Sequence, residues 1–284
     1  MQLEERKIKE VEHSDQRRSI VKGFEYQTDA APGSAEGGLV ADTKAYEQHF
    51  SNMKFYSIAR ASFAYRDAGV LDGIRGLTAL DYCCGNGEVA VQMARRGARL
   101  VHGIDLSPVA IENARALAAR EGVADRCVFK VMDAEHTEFP DSSFDVIHEY
   151  GALHHLDLSA AYKELARILR PGGRLVCTEA LRHNPFIHWY RSRTPHLRTQ
   201  WEYEHILGVP EIRTAQSCFG DVQIRFFHLA SLAAVPFRKK FFFPALLTVL
   251  EHVDAVLLRL PAIRRWAWVA VIVISRPNKP GVSS

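Results

Sequence analysis

The chain has 284 residues, 47% of them hydrophobic, which is enough for one large domain core with additions. Its formal net charge of +3 and pI near 8.6 fall far short of the clustered basic excess of a nucleic-acid binder, so no nucleic-acid partner is expected. Cys83, Cys84, Cys127, Cys177 and Cys218 show no zinc-type spacing. Together with a charged start (MQLEERKIKE) and no run of eighteen uncharged apolar residues, this predicts a cytoplasmic protein with reduced thiols and no spanning helix.

Residues 1–38 read as a tail or arm set apart from the domain at 39–284. Both charge signs mix over 1–24, and AAPGSAEGG at 30–38 is a flexible linker. Disordered tail, oligomerisation arm and lid are all open readings of it. From 39 to 69 the pattern turns helical, with Tyr46, Phe50, Phe55, Tyr56, Phe63 and Tyr65 as its aromatics. A strict alternation follows, with β-like runs at 78–82, 99–105, 127–133, 144–150 and 174–180 and helical stretches at 88–96, 108–121 and 158–170. That alternation predicts parallel βαβ units in a doubly wound α/β sheet. Ser107-Pro108 reads as an N-cap followed by proline at the first helical position. Pro171-Gly172-Gly173 is expected to stop a helix and turn the chain into the next strand.

Two further strands fit at 221–228 and 266–275, giving a seven-stranded, mostly parallel sheet. The core is placed at 70–181, a lid or acceptor segment at 182–215, and a helical insertion at 230–262. Within that insertion Leu246, Val249, Leu250, Val253, Leu257 and Leu260 recur at the spacing of an amphipathic helix.

The first strand runs into Asp81-Tyr82-Cys83-Cys84-Gly85-Asn86-Gly87-Glu88. A turn leaving the carboxyl end of a parallel strand is where open α/β sheets bind ligands. Gly85 and Gly87 allow close approach to the backbone, and the next helix aims its N–H groups at the same place. The second strand ends at Asp105-Leu106, twenty residues after Gly85, where a carboxylate can accept from two ribose hydroxyls. The third ends at Asp133-Ala134, an acid beside a small residue that leaves room for a ring.

On these residues, 78–181 resembles the class I S-adenosylmethionine-dependent methyltransferases of the small-molecule type. The family's first motif, roughly L-D-x-G-C-G-x-G, is met by Leu80-Asp81-Tyr82-Cys83-Cys84-Gly85-Asn86-Gly87. The stretches GIDLSPVAIENAR, MDAEHTEFPDSSFDVI, GALHHL and ILRPGGRLV follow in the family's order and spacing. The resemblance implies a Rossmann-like methyltransferase fold with S-adenosyl-L-methionine as cofactor and S-adenosyl-L-homocysteine as product. It implies that Gly85 and Gly87 face the methionine part, Asp105 the ribose, and Asp133 with Ala134 the adenine. Asp81 is then expected to support the loop and the amino group, with Glu149 to Gly151 on the pocket floor. Cys83, Leu106 and Tyr56 complete the expected cofactor contacts, Tyr46 and Tyr56 closing that side. Cys83 departs from the family, which has glycine there; a buried structural cysteine is the favoured reading over a reactive one.

Gly85-Asn86-Gly87-Glu88-Val89-Ala90 also fits a dinucleotide fingerprint, yet that site calls for neither Asp81 nor Asp133-Ala134. Base methyltransferases resemble this core but carry Asn/Asp-Pro-Pro-aromatic after strand four, where this chain has Glu149-Tyr150-Gly151-Ala152. His154, His155, His148 and Glu149 are the candidate proton acceptors, and Glu149 with Glu179 could orient an acceptor or stabilise a cation. The segment 184–203, rich in Trp, Tyr, His and Arg, is a candidate acceptor lid. The block Phe237-Arg238-Lys239-Lys240-Phe241-Phe242-Phe243 suits peripheral membrane contact, a lipophilic acceptor or a homo-oligomer interface, with simple packing ranked first. No metal site is expected. The expected activity is methyl transfer to oxygen or carbon of a small lipophilic metabolite; the alternative is a cofactor-binding protein with cyclase-type or regulatory work.

Overall fold

The computed structural model describes residues 4–22, 39–40 and 51–279. Seven strands form one sheet: β1 (Thr78–Tyr82), β2 (Leu100–Asp105), β3 (Cys127–Val131), β4 (Phe144–Tyr150), β5 (Leu169–Ala180), β6 (Phe219–Phe227) and β7 (Val269–Pro277). Their spatial order is β3-β2-β1-β4-β5-β7-β6, with β7 antiparallel to both neighbours and the other pairings parallel. All five residues of β1 are buried, because a central parallel strand is covered on both faces. Successive side chains serve opposite layers: Leu80, Ile147 and Leu175 enter one core cluster, while Ala79, Val146 and Val176 enter the other.

The helices of the α/β layers are α2 (Arg60–Leu71), α3 (Glu88–Arg95), α4 (Pro108–Arg120) and α5 (Leu158–Ile168). The Ser107 hydroxyl accepts from Ala110 N at 2.9 Å, and Asp157 does the same for Ala160 N at 2.9 Å, capping α4 and α5. The register pairs Asp81 with Gly103 and Tyr82 with Glu149. The carboxyl ends of β1, β2 and β4 therefore reach the same rim, where the chain's polar residues are delivered.

One expectation is corrected. The Pro171-Gly172-Gly173 triplet does not precede the fifth strand but lies within β5, which starts at Leu169. The pairing steps from Phe144↔Leu169 to Val146↔Arg174, so the extra residues are absorbed as a bulge. A side chain at Gly173 would meet Asp145 O at 2.9 Å, which is why the bulge requires glycine. Residues 5–20, read as part of a separate tail, form helix α1 (Glu5–Ile20), which lies across the strand ends and is tied to them by side-chain bonds. It is followed by a short antiparallel ladder of Val21–Lys22 with Leu39–Val40. Tyr46, Phe50 and the 30–38 linker lie outside the described residues.

After β5 the chain makes α6 (Pro185–Arg193), α7 (Gln200–His205) and α8 (Val209–Arg213) before β6. Between β6 and β7 come α9 (Phe243–Leu257) and α10 (Pro261–Arg264). A third apolar cluster joins these additions to the sheet edge through Phe55, Ile187, Leu232, Leu247 and Trp268.

Candidate active site

The turn after β1 is built from backbone that few side chains tolerate. Cys83, Gly85 and Gly87 have φ of 58°, 53° and 80°. A Cβ on Gly87 would sit 2.7 Å from the Ala114 Cβ, so this glycine is needed where α3 meets α4. Asp81 is buried beneath the turn: its Oδ2 accepts from Ala90 N at 2.9 Å, and its Oδ1 lies 2.7 Å from His148 Nδ1. It thus anchors the start of α3. Burial and the nearby Asp105, Glu149 and Asp81 carboxylates push the Cys83 thiol well up, and burial with Asp81 and Asp105 does the same to Cys84. Both stay thiols at neutral pH, which removes the thiolate a nucleophile would need.

The strand ends and α1 line a partly open cavity of about 270 Å³. Asp105 stands at its wall with Oδ2 accepting from Gly85 N at 3.0 Å and Oδ1 from Ser107 N at 2.9 Å. Leu106, Met132, Ala134 and Leu156 give this half its apolar faces, and Tyr82 Oη donates to Ala134 O at 2.6 Å. Asp133 is not part of the wall. Its Oδ2 accepts from Lys7 Nζ at 2.7 Å and its Oδ1 from Glu135 N at 3.0 Å. Lys7 also reaches Glu135 Oε2 at 2.7 Å, while Arg6 takes Glu135 Oε1 at 2.7 Å. Further along α1, the Arg18 guanidinium lies over the turn, 2.8 Å from where a Cβ on Gly85 would be.

Behind this half sit two buried acids. Glu149 Oε1 accepts from Ala152 N and Leu153 N, and Glu179 Oε1 accepts from Leu153 N at 2.8 Å. Burial and the neighbouring Glu179 charge hold the Glu149 carboxyl well above the usual carboxylate range. Burial raises Glu179 to about 7. Its Oε2 lies 2.7 Å from His154 Nδ1, and burial in turn lowers the His154 pKa. His155 Nδ1 pairs with Glu10 Oε2 of α1 at 2.8 Å. His154, His155 and Glu179 face the cavity, whereas Glu149 and His148 lie beneath it. His154, His155 and Glu202 also present atoms able to ligate a metal within 4.8 Å of one another. Arg198 Nε holds Glu202 Oε1 at 3.1 Å and Glu10 Oε2 lies 2.8 Å from His155 Nδ1, so two members of this cluster already have partners.

The cavity continues under α6 and α7. Its far walls are Phe55, Tyr56, Tyr190 and Trp268, with Phe55 and Tyr190 edge to face at 4.8 Å and Tyr56 and Trp268 at 5.6 Å. Arg191 adds a buried cation whose Nη1 donates to Leu181 O at 2.9 Å; burial lowers it to about 10, so it stays charged at neutral pH. Sequence reasoning placed the 184–203 segment near the acceptor and Tyr56 at the cofactor side; Tyr190 and Arg191 of that segment meet Tyr56 at one cavity. It missed Lys7, Arg17 and Arg18 of α1, whose mixed charges resemble those of any solvated helix, and Trp268 ahead of the last strand.

Residues 79–173 match the methyltransferase domain family. The 27-O-demethylrifamycin SV methyltransferase of Amycolatopsis mediterranei (strain S699) is 42% identical over 117 residues, covering 41% of this chain and 43% of that protein. The chain thus spans less than half the length of this relative. The geranyl diphosphate C-methyltransferase of Streptomyces coelicolor A3(2) superposes with a TM-score of 0.57 at 16% identity, over 97% of this chain and 100% of that one. The cyclase SpnF superposes at 0.51 with 21% identity, over 77% of this chain and 82% of that one. At such identities the superpositions speak for the fold alone.

Proposed function

We propose that this chain, which carries a class I S-adenosylmethionine-dependent methyltransferase domain, transfers a methyl group to an oxygen or carbon of a small lipophilic metabolite. The observation that carries this reading is one continuous, partly open cavity with two unlike halves. One is made of strand ends (Cys83, Asp105, Ala134), the other of aromatic side chains brought by the additions (Phe55, Tyr190, Trp268).

The cofactor half fits an adenosyl amino acid at three points. The Asp105 carboxylate retains acceptor capacity beyond its two backbone donors, suiting vicinal hydroxyls. Ala134 and Met132 leave a flat apolar slot beside it. The Arg18 guanidinium and the glycine turn at Gly85 offer positive potential to a carboxylate. When bound, S-adenosylmethionine supplies a methyl group already activated on a sulfonium.

The protein's own residues then have two tasks. Helix α1 and the 184–203 segment cover the strand ends, excluding water and holding the acceptor in line, the source of most of the rate gain in such a displacement. His154, held through Nδ1 by Glu179 and lowered by burial, is neutral at physiological pH and lines the cavity, so its imidazole can accept the acceptor's proton. Glu179 fixes the tautomer of that ring.

Several relatives carry names that agree with small-molecule acceptors, among them a rifamycin and a sterol methyltransferase. A second reading is cofactor binding without methyl transfer. The test is incubation with S-adenosylmethionine and a panel of lipophilic alcohols, phenols and polyenes. Acceptor-dependent release of S-adenosylhomocysteine supports transfer; tight cofactor binding with no turnover on any acceptor favours the second reading.

A further inference from the structure

Residues 237–266 present a surface that the fold does not require. The inner face of α9 is spent on packing: Leu247 is buried, Leu246 and Leu250 lie against the cluster of Phe55 and Trp268, and the buried Asp254 accepts from Leu229 N, Ala230 N and Ser231 N. Its outer face is apolar too. Val249, Val253 and Val256 recur with Leu260 at steps of four, three and four along one stripe, and Val249 and Val256 are 60% and 64% exposed. The turn before the helix adds Phe237, Phe242 and Phe241, the last 96% exposed, and the turn after α10 adds Trp266. Simple packing, the first-ranked reading of this block and its helix, accounts for only one of the two apolar faces.

The charges of this stretch are one-sided. It holds Arg238, Lys239, Lys240, Arg259, Arg264 and Arg265 against only Glu251 and Asp254. Glu251 is taken up by Arg60 and Asp254 is buried under the helix. Exposed apolar side chains in a stretch with six cations and no acid left over match a surface that is greasy inside and anionic outside. A second copy of the same face would set like charges against each other across a two-fold axis. The fifteen residues of α9 fall short of a bilayer's thickness, and among the described residues no helix is long and apolar enough to cross one.

We propose that the face formed by residues 237–242, the outer stripe of α9 and Trp266 docks on a lipid bilayer carrying anionic headgroups, with Phe241 and Phe242 entering the acyl boundary. The same element backs the acceptor half of the cavity: Leu247 shares a cluster with Phe55, a cavity wall, and Lys54 lies over the Phe55 and Tyr190 rings at 5.3 and 4.6 Å. A lipophilic acceptor dissolved in that bilayer would have a short path to the chamber. The docking itself is independent of methyl transfer.

The test is co-sedimentation of the full chain with sucrose-loaded vesicles of phosphatidylcholine, alone or mixed with phosphatidylglycerol. Partition is expected onto the mixed vesicles, weakening with salt, with a blue shift of tryptophan emission that Trp266→Phe diminishes. Replacing both Lys239 and Lys240 by Gln should lower the partition coefficient about 30-fold, at about 1 kcal/mol per cation. Phe241→Ser with Phe242→Ser should abolish partition while circular dichroism keeps the wild-type fold, since Phe241 is 96% and Phe242 39% exposed. No partition onto either vesicle, or partition that neither double variant alters, overturns the proposal. A dimer in light scattering that the Phe variant dissolves, without vesicle binding, overturns it in favour of self-association.

Discussion

Adjacent cysteines in the turn after β1 should respond to glycine with opposite signs. Cys83 has φ 58°, in the left-handed region, whereas Cys84 is not among the positive-φ residues. Left-handed backbone costs an L-residue about 1–2 kcal/mol, which Cys83→Gly removes. Against this stands the wider freedom of glycine in the unfolded chain, about 0.4–1 kcal/mol. The Cys83 side chain is only partly buried, so its loss subtracts little. The expected net is a stabilisation of about 0.5–1 kcal/mol, a rise in Tm of about 2 °C for a chain of this size. Cys84 is 7% exposed and sits in the second core cluster, so Cys84→Gly forfeits buried sulfur and adds glycine entropy with no strain relieved. A loss of about 2 kcal/mol is expected there. Denaturant titration of both variants reads the two values directly. Destabilisation by Cys83→Gly as large as that by Cys84→Gly would refute the assignment of strain to this position and make the Cys83 thiol a packing group.

Four further outcomes follow from the same contacts. Asp105→Ala should remove the two charge-assisted hydrogen bonds proposed to ribose, at about 1.5 kcal/mol each, so calorimetry should show S-adenosylhomocysteine bound about 100-fold more weakly; undiminished affinity would place ribose recognition elsewhere. Lys7→Ala leaves Asp133 and Glu135 facing each other with only Arg6 in attendance, costing about 2 kcal/mol in the attachment of α1 and exposing residues 5–20 to limited proteolysis. Glu179 is raised to about 7 by burial, so its charge, and with it the orientation of His154, is gained as pH rises; kcat/KM should climb through about pH 7. Glu179→Gln should flatten that climb and lower the plateau about 100-fold, and an unchanged profile would remove the pair from proton transfer. Vesicle partition should fall with the Lys239 and Lys240 substitutions without any change in cofactor affinity, because the two surfaces share no residue.

The sheet was legible because its central strands are short apolar runs ended by strong punctuation. Thr78–Tyr82 and Phe144–Tyr150 are found as read, and Ser107-Pro108 caps its helix as expected. Asp105 was legible for a related reason: a charged residue at the carboxyl end of a buried strand has few structural uses. The Pro171-Gly172-Gly173 triplet misled because a bulge and a turn call for the same residues, and only the pairing register separates them. The positive φ of Cys83 gives a physical basis to the family's glycine at that position, which the sequence could mark only as a departure. Helix α1 could not be placed because what it buries is polar. Its Lys7 is buried between two acids more than a hundred residues away, and no periodicity encodes that.

That polarity divides the site into parts of different stability. The floor is a parallel ladder whose residues fill two apolar clusters, and it opens only when the sheet itself unfolds. Among the described side chains of α1, residues 5–19, none enters any of the three apolar clusters. Its attachment rests on Lys7 with Asp133 and Glu135, Glu10 with His155 and Thr199, Asp15 with Ser107, and the Arg18 carbonyl with Asn113. Each such contact exchanges protein partners for water at small net cost, unlike an apolar face, whose exposure scales with its area. A cover held this way can lift while the floor stays intact. The cavity is partly open, and lifting α1 would widen the route by which the adenosyl ligand proposed to bind there could enter and leave. Two of the residues that hold α1 down, Glu135 and Ser107, line the cavity themselves, so the seat of the helix and the wall of that half are built from the same side chains.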